Sequence, residues 1–155
     1  MYTLELKVNG QPYKVEVKAT ANLLEVLRDK LGITSPKVGC ETGDCGTCSV
    51  ILNGKLVKSC LVNALTAQGA EVLTLEGLGR PGALHPLQQA FHEHYAAQCG
   101  FCTPGMIMAA KALLDENPQP TAEEVKHYLS GNLCRCTGYI KIVDAVMAAA
   151  EETRR

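Results

Sequence analysis

The sequence predicts an α+β protein with a strand-rich first half, a helical second half, and a metal centre stapling each. Three observations carry this. Apolar and polar residues alternate along the first stretches of the chain. After Pro81 the apolar residues recur at helical spacing instead. The eight cysteines fall into two sets of four, Cys40, Cys45, Cys48, Cys60 and Cys99, Cys102, Cys134, Cys136, with none between the sets.

The chain has 155 residues, 46% hydrophobic and 20% charged, which describes a globular protein rather than a disordered one. Its net charge of −1 comes from interspersed bases and acids, so no basic stripe offers itself to nucleic acid. No apolar run is long enough to span a membrane. The N-terminal stretch MYTLELKVNG alternates and lacks the apolar core of a secretory signal, so the expected location is the cytoplasm. In a reducing compartment eight cysteines are poor candidates for four disulfides. The cysteine-free gap holds EGLGRPGALHP, Glu76 to Pro86, rich in glycine and proline. The expected division is a first domain over 1–76, a linker over 77–83 and a second domain over 84–155. Domains so small commonly need a staple, and a bound metal centre is one.

In the first half, Tyr2, Leu4, Leu6 and Val8 alternate with polar residues, as do Tyr13, Val15 and Val17. Asn9-Gly10 between them predicts a two-residue hairpin turn. A helix follows over Asn22–Leu31, with Asn22 and Glu25 as its capping box and Gly32 as its stop. Asn53-Gly54 predicts a second hairpin. Folding there sets Val50 opposite Val57 and Cys48 opposite Ser59, so Cys60 lands beside Cys48.

That hairpin brings the fourth thiol to the loop CETGDCGTC, Cys40 to Cys48. The spacing C-x4-C-x2-C with a distant fourth cysteine is the plant-type [2Fe–2S] pattern. Gly39, Gly43 and Gly46 are expected to take positive φ there and let backbone N–H groups turn toward the sulfurs. A structural zinc site more commonly uses two close pairs of ligands and fits this loop poorly.

In the second half, four helical patterns follow one another: Leu84, Leu87, Phe91 and Tyr95; Met106, Ala110, Leu113 and Leu114; Val125, Tyr128 and Leu129; Ile140, Val143, Val146, Met147 and Ala150. They predict a small bundle. CGFCTPG precedes the second of these helices and CRCTGY the fourth. Thr103 and Thr137 are the expected N-caps, which would aim both helix N-termini at one anionic site. Zinc held by four thiolates would be served equally, so spacing alone leaves both metals open for this set.

The strings GCETGDCGTCSV, QCGFCTPGMIM and GNLCRCTGY, which hold every cysteine but Cys60, resemble the small iron–sulfur subunit of the molybdenum hydroxylases. That is the superfamily of xanthine dehydrogenase, aldehyde oxidoreductase and carbon monoxide dehydrogenase, and the resemblance runs over essentially the whole chain. It implies a ferredoxin-like β-grasp domain followed by a four-helix domain. One [2Fe–2S] cluster is implied in each, on Cys40, Cys45, Cys48, Cys60 and on Cys99, Cys102, Cys134, Cys136. It further implies that Gln98 hydrogen-bonds the pterin of a molybdenum cofactor in a partner chain, with Cys136 near that pterin. The partners implied are a large molybdopterin-binding subunit and a medium FAD-binding subunit, in a dimer of heterotrimers. On this reading the chain is the electron-transfer subunit of an oxidoreductase. It relays single electrons between molybdopterin and flavin and has no catalytic residue or substrate site of its own.

Two other functions compete. A free-standing two-cluster carrier would dock only transiently and give Gln98 no purpose. A zinc-stapled adaptor would have no redox role. The remaining suggestive residues have plain readings. His92 and His94 are two apart and face different ways on a helix, while His85 and His127 are isolated, so all four are expected at the surface. Glu41 and Asp44 read as solvated loop acids. GLGRPG lacks the spacing and lysine of a phosphate loop. Met106 is expected in the bundle core, and Met108 and Ile107 on an apolar face toward a partner.

Overall fold

The computed structural model describes residues 1–154. Strands β1 (Tyr2–Val8) and β2 (Gln11–Val17) form the first hairpin, in register from Tyr2 against Val17 to Val8 against Gln11. Asn9 and Gly10 both take positive φ, as a primed turn demands. Strands β3 (Ser49–Leu52) and β4 (Lys55–Lys58) form the second, with Val50 against Val57 as the turn position requires. Strand β5 (Glu71–Leu73) joins the hairpins, parallel to β1 and antiparallel to β3. The sheet order is β2-β1-β5-β3-β4. Strand β5 leaves no mark in the sequence pattern, because its three residues are too few to show alternation.

The helix expected over 22–31 is present with its Asn22–Glu25 capping box, but only Leu23–Glu25 (α1) winds as α-helix. The chain continues over Val26–Lys30 with π-helical bonding and ends at Gly32 with φ +69°. Leu23, Val26 and Leu27 of this segment pack onto Leu4, Leu6, Val8, Val17, Val50 and Val72, which make the core of the first half.

The second half folds as α2 (Pro86–Glu93), α3 (Thr103–Glu116), α4 (Ala122–Tyr128) and α5 (Ile140–Thr153) around one core that includes Leu87, Phe91, Met106, Leu113, Val125 and Val146. Pattern and burial part company at the ends. Leu84, Tyr95 and Ile140, expected on the apolar stripes, are exposed.

The halves are joined by more than a connection. Adjacent strand residues point to opposite faces. Val50 therefore enters the α1 core, while Ile51 meets Met108 and Ala112 of α3 on the other side. This corrects the expectation for Met108 and Ile107. Both are buried within the chain, Met108 against the sheet and Ile107 inside the helical core, so neither faces a partner. Leu75 at the end of the first domain and Leu78 in the connecting stretch also pack against these clusters.

Candidate metal centres

All eight cysteines are free thiols. In the first set, β3 and β4 hold Cys48 and Cys60 at the base of the loop with their sulfurs 3.4 Å apart. Ser59 fastens that base by donating from N–H and hydroxyl to the Cys48 carbonyl, at 3.3 and 2.7 Å. Cys40 stands across the loop. Its sulfur accepts from the N–H groups of Thr42 and Cys45, each at 3.4 Å. Contacts with Thr42, then these amides, draw the Cys40 pKa down to about 6. Burial, reinforced by neighbouring Cys48, pushes Cys60 up to about 11.

Positive φ falls at Glu41, Gly43 and Gly46, not at Gly39. Gly39 is needed for another reason: a Cβ there would stand 2.6 Å from the Cys45 sulfur. Glu41 and Asp44 are exposed, and Asp44 accepts a hydrogen bond from the Thr42 hydroxyl at 2.6 Å.

In the second set, Cys102 lies beside Cys134 and Cys99 beside Cys136. Burial, then the Cys134 thiol, pushes Cys102 up to about 12. Cys134 is lowered although burial opposes it, because the Thr137 hydroxyl and N–H donate to its sulfur at 3.0 and 3.4 Å. Thr137 is therefore not the cap of α5. That position belongs to Tyr139, held at φ +71°, whose phenol oxygen accepts from the Cys134 N–H at 3.0 Å. Thr103 is no cap either. Helix α3 begins on it directly after Cys102, and its buried hydroxyl has no partner. Among the described helices, α3 starts directly after the Cys99–Cys102 pair, whereas α5 starts further on from its pair, at Ile140. Cys99, Cys136 and Gln98 are exposed together on the outer side of this domain.

The two sets are pinned across the domain seam. Leu133 N–H donates to the Cys45 carbonyl at 2.9 Å, and the Thr47 hydroxyl to the Phe101 carbonyl at 3.1 Å. The buried Asn132 amide donates to the Gly46 carbonyl at 3.0 Å. Lys58 reaches the Gly131 carbonyl at 2.8 Å. None of these four residues stands out in the sequence, because each acts on a neighbour far along the chain.

The donors fit iron–sulfur clusters. Each set offers four thiols, and N–H groups turn toward the Cys40 and Cys134 sulfurs as anionic thiolates require. Among the described residues, no three Cys, His, Asp or Glu side chains close on a position for one ion.

Comparison with known proteins decides the matter. The 2Fe-2S iron-sulfur cluster binding domain family matches residues 6–74, and the [2Fe-2S] binding domain family matches residues 74–147. The small FeS subunit of nicotinate dehydrogenase from Eubacterium barkeri is 50% identical over 149 residues, 96% of this chain and 95% of that protein. The chain belongs to the iron–sulfur subunits of the molybdenum hydroxylases. The solved quinoline 2-oxidoreductase of Pseudomonas putida 86 superposes on this iron–sulfur subunit with a TM-score of 0.95 at 44% identity, covering 99% of this chain and 96% of that one. The aldehyde oxidoreductase of Desulfovibrio desulfuricans gives 0.96 at 52% identity, over 99% of this chain but 17% of its own much longer chain. The iron–sulfur subunit thus carries two [2Fe–2S]-binding domains and serves electron transfer in an oxidoreductase complex, not as a zinc adaptor. No helix among the described residues is long and apolar enough to cross a membrane.

Proposed function

We propose that this iron–sulfur subunit stands between a large molybdopterin-binding chain and a medium FAD-binding chain in a dimer of heterotrimers in the cytoplasm. Cys40, Cys45, Cys48 and Cys60 hold one [2Fe–2S] cluster, and Cys99, Cys102, Cys134 and Cys136 hold the other. We also take 1–76 and 84–155 as two folding units joined over 77–83. When bound, each cluster takes up and releases one electron at a time, which couples a two-electron oxidation at molybdenum to a flavin.

The exposed chemistry around the second set carries this reading. Cys99 and Cys136 lie open beside Gln98, and Phe101, Leu133, Tyr139 and Ile140 next to them are exposed apolar side chains. Ile140 is 71% exposed, which suits a face that a partner covers. Gln98 supplies the amide that would bond the pterin on that chain. Near the first set, Val38 and Leu61 are exposed, offering a second contact for the flavin chain. Tight ligand positioning on both faces serves transfer as well as binding.

The substrate belongs to the partner chain. Nicotinate is the first to try, since relatives from Pseudomonas putida and Eubacterium barkeri, 48% and 50% identical, are named nicotinate dehydrogenase subunits. The test is purification of the tagged chain from its own cells, with protein, molybdenum and FAD measured. Two larger chains are expected to accompany it, one with molybdenum and one with FAD. A monodisperse monomer carrying both clusters and binding no larger chain would instead establish the free-standing carrier.

A further inference from the structure

Lys58 is a half-buried lysine with no carboxylate within ion-pair distance among the described residues. A desolvated ammonium needs anionic or carbonyl partners. Lys58 ends β4, two residues before Cys60, and its Nζ lies in the seam between the domains. It donates to the Gly131 carbonyl at 2.8 Å and the Ser49 hydroxyl at 3.3 Å. Ser49 follows Cys48, and Gly131 opens the stretch leading to Cys134. A Cβ on Gly131 would stand 3.3 Å from Nζ, so the glycine leaves room for the lysine head.

We propose that Lys58 is a redox-positioning residue whose ammonium, held by Gly131 and Ser49 in the seam next to Cys48 and Cys60, raises the reduction potential of the loop cluster relative to the helix-domain cluster. This rests on the ligand assignment above. Reduction adds one negative charge to the cluster, and Coulomb attraction to a fixed cation favours the more negative form. The low-dielectric seam weakens screening by water and salt. The loop cluster would thereby become the favoured resting place for an electron that has entered through the helical domain.

The experiment is a redox titration of the purified complex followed by electron paramagnetic resonance, on the natural protein and on Lys58→Gln and Lys58→Arg. Glutamine keeps an N–H for Gly131 but no charge; arginine keeps the charge. The expected result is a lower loop-cluster potential in Lys58→Gln, an unmoved helix-cluster potential, and near-natural values in Lys58→Arg. An unshifted loop cluster in Lys58→Gln overturns the proposal. If Lys58→Gln loses the loop cluster while Lys58→Arg retains it, the cation requirement is supported at assembly. Loss in both overturns it, because shape rather than charge then decides. Failure to find two clusters in the natural complex would undo the ligand assignment instead.

Discussion

At Gly105, in the first turn of α3, alanine would ordinarily favour the helix by about 1 kcal/mol. Here a Cβ would overlap the Gly46 carbonyl oxygen and press on the Thr47 backbone. Backbone cannot step aside cheaply, so the sign reverses. Gly105→Ala is expected to destabilise the protein by about 1–3 kcal/mol in chemical denaturation, as overpacking does. An unchanged or raised stability would show that the seam yields. His85 makes a pH prediction. It is no mere surface residue: its Nδ1 accepts from the Leu87 N–H at 3.1 Å and caps α2. Burial, then the nearby Lys111 charge, lowers its pKa from the ordinary 6.5. The folded protein therefore binds fewer protons than the unfolded one. Stability from this cap is full above pH 6.5 and is lost as pH falls through the lowered value. The melting temperature should fall on acidification below that point by more than it does in His85→Asn, whose cap does not titrate. Equal slopes would remove His85 from this role. Candidate ligands can be picked out by their spacing. The role of Gly105 or His85 cannot, since each depends on a carbonyl or an amide that only the fold brings near.

Among the elements, the hairpins are the most legible. Asn9-Gly10 and Asn53-Gly54 set turn and register together, and the second carries Cys60 to Cys48 as expected. Helix starts at the cysteines depart from expectation. Thr137 gives its hydroxyl to the Cys134 sulfur, and a thiol competing for the donor is invisible in a capping rule. Thr121, away from the cysteines, caps α4 as such a rule describes, with Glu124 completing the box. These elements respond differently to mutation. Thr121→Ala should cost about 1 kcal/mol and leave both clusters' spectra untouched. Met108→Ala removes the side chain that fills the gap between α3 and Ile51 and should cost about 2–5 kcal/mol. Equilibrium unfolding of the two variants compares them directly. A Met108→Ala loss no larger than that of Thr121→Ala would mean that α3 and the sheet do not rely on this contact.

For the whole molecule, the two sets of four cysteines predict two metal-binding halves, and the two family matches meet at Thr74. What the sequence conceals is how firmly the halves are joined. Leu133, Asn132, Thr47 and Lys58 all bond across the seam, and Ile51 with Met108 seals it. The docking face expected at Met108 and Ile107 fails for the same reason: an apolar residue on a helix reads alike whether its own chain or another covers it. Two ligand sets are expected to hold two separate clusters. The most direct measurement is electron paramagnetic resonance of the dithionite-reduced complex, with iron counted, for the natural protein, Cys45→Ser and Cys134→Ser. The natural protein should give about four irons per chain and two distinct signals. Cys45→Ser should lose one signal and Cys134→Ser the other, each variant folded and keeping about half the iron. A single signal in the natural protein, or the same signal lost from both variants, would contradict the claim.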